Sequence, residues 1–394
     1  MIPTLALRYA EAESCWAAWG WTDRDRPEAA RLHPRVLPAL AQLRPSVLPD
    51  AGVDASGAEP IADALARARR GPLGDPAGTA RLGEQLADAL LPGPVVLALL
   101  DRAQQAGRRP RLRIHPSPGL ARVPWPLLRV RLTADGSRRA PLLDLADLCL
   151  GAPADAVADA LPPEPGEGLV AVIDPRVPGF AADSALGSVL GRPHPDDRLV
   201  ALVDRHRGRL RPAVDAYPEL VRRRDLDRDW LRGALAGAAR LLYLGHVSVA
   251  GAELATGATS SMHLCCVDDA GRHRPLSAAE LLADAGMRFP ARVALLGCGS
   301  GTDLGYPEPM GLALAAVLRG AELVTAASWT LPTDAALEGE PLRRLVLAVD
   351  AAHDAADPVA ALSAWQLERA EAWAAAGEPA DSPLVWAAAL THVR

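Results

Sequence analysis

Short apolar runs closed by turn residues alternate with helical periods through the second half of this chain. Residues 240–245 (RLLYLG) run straight into His246, and residues 292–297 (RVALLG) run straight into Cys298. Each run is uniformly hydrophobic and ends in glycine, the pattern of a strand buried on both faces of a parallel sheet. Residues 169–174 (LVAVID) and 321–328 (AELVTAAS) read the same way, and 199–204 (LVALVD) predicts a further strand. Helices are predicted between them, over 183–191, 225–239, 277–285 and 308–320. Ser277 and Glu280 form the capping box of the third, and Gly320 closes the fourth. Asp357 and Pro358 start a last long helix that runs through Trp373. Strands alternating with helices predict βαβ units and a right-handed, mostly parallel sheet flanked by helices, an α/β fold.

The first half is less regular. Residues 1–78 are rich in Ala, Leu and Arg, cluster Trp16, Trp19 and Trp21, and are broken often by Pro and Gly. They predict short helices packed through the tryptophans, a helical N-terminal region serving as a cap or a partner-binding module. Residues 80–106 show helical spacing interrupted at Pro92 and Pro94, and 111–132 read as a strand, a turn and a further strand or short helix. Residues 151–167 look like a linker. The expected division is 1–78 and 79–394, with the core of the second part from about 168. No fixed period appears, so a solenoid is unsupported.

Composition narrows the function. At 394 residues and 49% hydrophobic, the chain has room for two or three domains and a sizeable core. A net charge of −6 argues against general nucleic-acid binding. All 42 basic residues are arginine, and there is no Lys or Asn, as in proteins of GC-rich genomes. A Cys-His-Asn triad therefore cannot be built. The five cysteines, Cys15, Cys149, Cys265, Cys266 and Cys298, do not make a disulfide scaffold. Without a CxxC pair a zinc site is not expected, and no metal or organic cofactor is called for. The N-terminus lacks a basic region followed by a long apolar stretch, and no run of about 18 apolar residues follows. The expectation is a reduced, soluble, cytoplasmic protein with no membrane association.

Ligands of open α/β sheets sit beyond the carboxyl ends of the strands. Neighbouring strands ending in His246 and Cys298 would put a base and a thiol on one rim, where the imidazole can take the thiol proton. The order, with His about 50 residues before Cys, is that of caspases. Gly297, Gly299 and Gly301 around Cys298 would let a substrate carbonyl approach. Other signals read blandly: Cys265 and Cys266 as core or near-core thiols, and His263, His273 and His353 as surface or loop residues. Trp365, Trp373 and Trp386 read as packing residues, as does Trp329, which could also wall a substrate pocket.

Several segments in order resemble the CHAT domains, caspase-like and separase-related peptidases of clan CD. LARVPWPLLRV (120–130) resembles the family's lead-in, and LVAVIDP (169–175) its first core strand. RLLYLGHVSVAG (240–251) is similar to the His segment and RVALLGCGSG (292–301) to the Cys segment. Residues 260–282, 308–336 and 382–393 resemble the hairpin, the helix-strand-Trp segment and the closing strand. The likeness covers about 80–394. Departures are Val247 where His-Gly is usual, Pro126 where Glu is usual, and Asp334 one place later than in many relatives.

The resemblance implies a cysteine endopeptidase, a hydrolase acting on protein or peptide substrates and cutting after a basic residue. Cys298 would attack, His246 would move protons, and backbone N–H groups of Val247 and Cys298 would hold the oxyanion. An arginine at the cut needs a carboxylate in its pocket; Asp334 is the first candidate, with Asp303 and Asp174 behind it. The resemblance also implies a chain that is latent until an activating protein partner or cleavage orders its loops, and relatives with roles in bacterial defence or regulated self-cleavage. Two competing readings stand beside this one. A CHAT-like fold without activity would be an interaction module. The run LLGCGSGT also looks like the glycine-rich motif of S-adenosylmethionine methyltransferases, although Leu295 stands where an acidic residue is usual.

Overall fold

The computed structural model describes residues 2–24, 26–33, 36, 40, 46–50, 53–54, 57–133, 135–248, 259–301 and 311–394, apart from the side chains of 53, 54, 57, 58 and 155. The fold is mixed α/β, with a mostly parallel sheet and flanking helices. The chain divides into two compact units, Met1–Gly151 with Ala356–Leu390, and Ala152–Ala355 with Thr391–Arg394.

The first unit is built on strands Thr4–Glu11, Cys15–Trp21, Glu28–Arg31, Arg111–His115 and Asp147–Gly151. Here the structure differs from the helical expectation for residues 1–78. Thr4–Glu11 and Cys15–Trp21 form an antiparallel pair, and among the described residues before helix Pro76–Leu90 the long helix is Ile61–Arg70. The physical reason is a period of two. Leu5, Leu7 and Tyr9 point inward on one strand and Cys15, Ala17 and Trp19 on the next, while Trp16 is 46% exposed. The interleaved alanines hide that alternation. Helices Pro76–Leu90 and Gly93–Ala106 follow the predicted break at the prolines. Helix Pro358–Ala376 starts as expected, with the Asp357 carboxylate accepting from Ala360 N–H at 3.2 Å.

The second unit carries five parallel strands in the order Leu210–Arg211, Leu169–Ile173, Arg240–Leu244, Arg292–Leu296, Leu323–Ala327. The chain therefore reverses direction of growth between Leu169–Ile173 and Arg240–Leu244, the switch point where doubly wound sheets open a crevice. Alternate residues define one face. Val170, Val172, Leu241, Tyr243, Val293, Leu295, Val324 and Ala326 share a core with helices Arg228–Leu235, Ala278–Ala283 and Gly311–Leu318. Helix Pro341–Asp354 packs against the His and Cys strands as well. The capping box forms as the sequence predicts, Ser277 and Glu280 each bonding the other's backbone N–H.

Two local expectations fail. Residues 199–204 form helix Val200–Arg205 rather than a strand, because Asp197 Oδ1 accepts from Leu199 N–H at 2.9 Å and starts a helical turn. Residues 183–191 form turns rather than a helix. Ser188 Oγ and Val189 N–H bond the Asp174 carboxylate, the Gly187 carbonyl bonds His246, and Gly187 lies against the backbone of residues 181–182.

Candidate active site

The Arg240–Leu244 and Arg292–Leu296 strands are hydrogen-bonded neighbours, and Leu244 pairs with Leu296. His246 and Cys298 thus each stand two residues beyond one pair, at the carboxyl end of the sheet. Gly245 N–H continues the ladder to the Leu296 carbonyl at 3.3 Å. Beyond it the two turns touch. A Cβ on Gly297 would lie 2.5 Å from Val247 Cγ2 and 2.7 Å from the Gly245 carbonyl oxygen. Only glycine lets the Cys turn lie this close to the His turn.

The Cys turn is fixed from the next strand. Gly299 N–H donates to the Trp329 carbonyl at 3.1 Å and Gly301 N–H to that of Ala327 at 2.9 Å. Gly299 has φ of +62°, a conformation that favours glycine. Ser300 Oγ donates to the Leu295 carbonyl at 2.5 Å and accepts from Ala327 N–H at 3.0 Å, tying the turn to both strands. Cys298 itself is half-buried.

His246 Nε2 lies 2.9 Å from the Gly187 carbonyl. A carbonyl only accepts, so Nε2 carries the proton and the lone pair of the neutral ring lies at Nδ1. A main-chain oxygen, rather than a side chain, holds the imidazole at Nε2. Burial pushes the His246 pKa down, while the Gly187 bond and the Asp174 charge partly offset it. A neutral base at physiological pH is the result. His263 N–H donates to the His246 carbonyl at 3.1 Å, which makes Val247 and Met262 a non-hydrogen-bonded pair. Val247 N–H is therefore not engaged in that ladder.

The loop that supplies Gly187 is pinned on both sides. The Asp174 carboxylate accepts from Ser188 Oγ and, at 3.1 Å, from Val189 N–H. Arg343 donates to the Leu190 carbonyl at 2.9 Å and makes a forked pair with Asp197. The pocket candidates fall out as follows. Asp174 is on the rim beside the His turn, 1% exposed, with φ of +46° and the Arg222 guanidinium 3.8 Å away. Asp334 is half-buried, with its side chain 8% exposed. Its oxygens accept from Leu342 N–H at 2.7 Å, Arg343 N–H at 3.3 Å and Arg343 Nη1 at 2.7 Å, so it caps helix Pro341–Asp354 and pairs internally. Trp329 lends its carbonyl to the Cys turn, and its side chain is fully buried. Asp303 lies outside the described residues.

Several residues that bond to His246 or lie near it have no place in the sequence reading. Gly187 acts through its carbonyl, which every residue has, so no signal exists for it. Tyr243 was visible as the one side chain with a polar group in LLYL; its hydroxyl donates to the His246 carbonyl at 2.6 Å. His263 and His353 are buried rather than at the surface, at 0% and 3% exposure. His263 has Ser248 and His273 as partners, and His353 has Thr325. Cys266 is buried and Cys265 half-buried, as the alternation suggested. Among the described residues there is no cluster of His, Cys, Asp and Glu that could hold a metal ion, and no helix long and apolar enough to cross a membrane.

Solved structures resemble this fold at low sequence identity. Two crystal structures of the Saccharomyces cerevisiae separase–securin complex, at 2.6 and 3.0 Å resolution, match with TM-scores of 0.51 and 0.52 and 12% identity each. The matches cover 99% and 100% of this chain. This chain spans about 30% of the length of the chains it matches. No family model matches the sequence, and no curated protein does. The likeness is one of fold: that of the caspase-like protease, separase.

Proposed function

We propose that this chain is a cysteine endopeptidase of CHAT type, working through a Cys298–His246 dyad. The observation that carries the reading is the bond between His246 Nε2 and the Gly187 carbonyl beside the paired ends of the His and Cys strands. It leaves Nδ1 as the basic nitrogen. In the proposed cycle Nδ1 takes the thiol proton, and the Cys298 thiolate attacks the scissile carbonyl to form a tetrahedral oxyanion. The imidazolium returns the proton to the leaving amine, so the C–N bond breaks and an acyl-enzyme remains. Water, deprotonated by the same nitrogen, then releases the acid and restores the thiol. Val247 and Cys298 N–H groups are the proposed oxyanion donors. The cycle balances with no metal or organic cofactor.

A cut after arginine or lysine is the proposed specificity, with Asp334 as first pocket acid, Asp174 and Asp303 as the others, and Trp329 as backing. The engagement of Asp334 by Arg343, and of Asp174 by Ser188, Val189 and Arg222, supports a latent form. A substrate arginine would have to displace an internal one, and a protein partner could supply that rearrangement. The separase in the matching structures is bound to securin, which is consistent with partner control in this fold.

Fluorogenic peptides varied at the residue before the cut, assayed with Cys298→Ala and His246→Ala as controls, test the proposal. Turnover of Arg and Lys peptides that vanishes in both variants is expected. No turnover under any condition, including with candidate activators, would leave the interaction module as the better reading.

A further inference from the structure

Behind His246 lies a chain of polar groups, buried at Ser248 and His263 and half-buried at His273, that the proposed cycle does not use. His263 Nε2 is 2.7 Å from Ser248 Oγ, His263 Nδ1 is 2.9 Å from His273 Nε2, and His273 Nδ1 is 3.1 Å from the Cys266 carbonyl. The direction of every bond follows from its last member. The Cys266 carbonyl has no proton to give, so His273 Nδ1 is an N–H and His273 Nε2 is an acceptor. His263 Nδ1 must then donate, and His263 Nε2 must accept from the Ser248 hydroxyl. All four groups are satisfied with both rings neutral. A proton added to either ring sets two N–H groups face to face or forces Ser248 to reverse. The buried His263 ring has its pKa pushed down to about 3, chiefly by burial and then by His273 and His246, in keeping with a chain that stays neutral.

The His263 ring stands against the His246 ring, with centroids 6.4 Å apart and planes at 80°. His273 lies edge to edge with His263 through the 2.9 Å bond, centroids 5.1 Å apart and planes at 23°, and Phe180 meets His273 edge-on at 6.3 Å. The two backbones are joined as well, since the Tyr243 hydroxyl lies within 3.0 Å of both the His246 and the His263 carbonyls. The charged groups that act on this cluster are Asp174 and Arg222 at His246, and Arg228 at His273. Among the described residues the His246 ring has one hydrogen-bond partner, the Gly187 carbonyl at Nε2, and a ring can still swing about a single bond. A neutral ring set across it blocks the swing. It also tolerates the imidazolium formed in acyl transfer, which a charged His263 would repel.

We propose that His263, held neutral by Ser248 and His273, is a positioning residue for His246, keeping Nδ1 turned toward Cys298. The proposal rests on the Cys-His reading above. Two measurements test it. The first is the ¹⁵N–¹H spectrum of histidine-labelled protein at neutral pH, which reads tautomers without any activity. Nδ1–H forms of His263 and His273 are expected, and Nε2–H for His246; an Nε2–H form of His263 would overturn the proposal. The second is site-resolved alkylation of Cys298 by iodoacetamide as a function of pH. An assisted thiol keeps reacting near pH 6, where an ordinary thiol of pKa about 8.5 is under about 1% ionised.

His263→Phe should lower the rate near pH 6 by about tenfold or more, and Ser248→Ala should lower it less. His263→Gln, whose side-chain oxygen can accept from Ser248, should recover part of it. Ser248→Ala, the milder change, carries the test if His263→Phe does not fold. An unchanged pH profile in Ser248→Ala and His263→Phe, with His246→Ala collapsed, would overturn the positioning role and leave the dyad standing. An unchanged profile in His246→Ala would overturn both.

Discussion

Replacing Gly187 by alanine tests the orienting carbonyl. A Cβ at Gly187 would stand 2.2 Å from the Ala182 carbonyl oxygen, 2.6 Å from its carbon and 2.8 Å from the Ala181 oxygen. All three are main-chain atoms, so no side chain can swing away, and the segment must open by about 1 Å to restore van der Waals contact. The Gly187 carbonyl moves with it, and a 2.9 Å bond stretched by that much is no longer a hydrogen bond. A hydrogen bond to a group that becomes charged contributes about 1.5–3 kcal/mol, so kcat/KM should fall about 10- to 150-fold. The Gly187 bond raises the His246 pKa against the effect of burial, so losing it lowers that pKa further. The acid limb of the pH–rate profile should therefore shift to lower pH while the plateau drops. Peptide turnover, or alkylation of Cys298 where turnover is absent, measured across pH on protein checked for its unfolding midpoint, reads both effects. A Gly187→Ala protein with wild-type rate and an unmoved limb would refute the orienting role.

Three further outcomes follow from the geometry. Gly297→Ala drives a methyl into the Gly245 carbonyl oxygen and Val247, so kcat/KM should fall at least about tenfold and stability by about 1–3 kcal/mol; wild-type values for both would show that the two turns are not in contact. Asp334→Asn breaks a buried pair in which Arg343 still keeps Asp197, so a loss of about 1–3 kcal/mol in urea unfolding is expected. If Asp334 lines the basic pocket, the ratio of kcat/KM for Arg over Gln peptides should collapse too, and a retained ratio moves that role elsewhere. His115 and His392 have pKa values lowered to about 4 and His263 and His353 to about 3, burial being the main cause. The unfolded chain takes up these protons near pH 6.5 and the folded one does not, so their effect is absent above about 6.5. Stability should then fall by about 1.4 kcal/mol per pH unit for each ring as pH drops toward 4, and equal urea midpoints at pH 7 and 5 would contradict this.

The strands that end in His246 and Cys298 were legible because burial on both faces leaves a purely apolar run, which little else produces. The capping box at Ser277 and the Asp357 helix start were legible because caps are local chemistry. The first two strands were not, since alanine stands on the outward face of Thr4–Glu11 and on both faces of Cys15–Trp21 and blurs the period of two. Within the site, His246 and Cys298 could be named because their types carry chemistry. Gly187 could not, because its contribution is a carbonyl that tertiary folding brings 59 residues along the chain to His246. The engagement of Asp334 with Arg343 was equally hidden, although the two are close in sequence. A carboxylate near a helix start reads the same whether it binds substrate or caps the helix.

The central claim is that His246 and Cys298 share a proton at one rim of the sheet. An Arg-directed acyloxymethyl ketone, with the labelled residue identified by mass spectrometry, reads that pairing directly. The account predicts a covalent adduct on Cys298 that is absent in Cys298→Ala and strongly reduced in His246→Ala. Labelling of Cys298 at the same rate with and without His246 would contradict it.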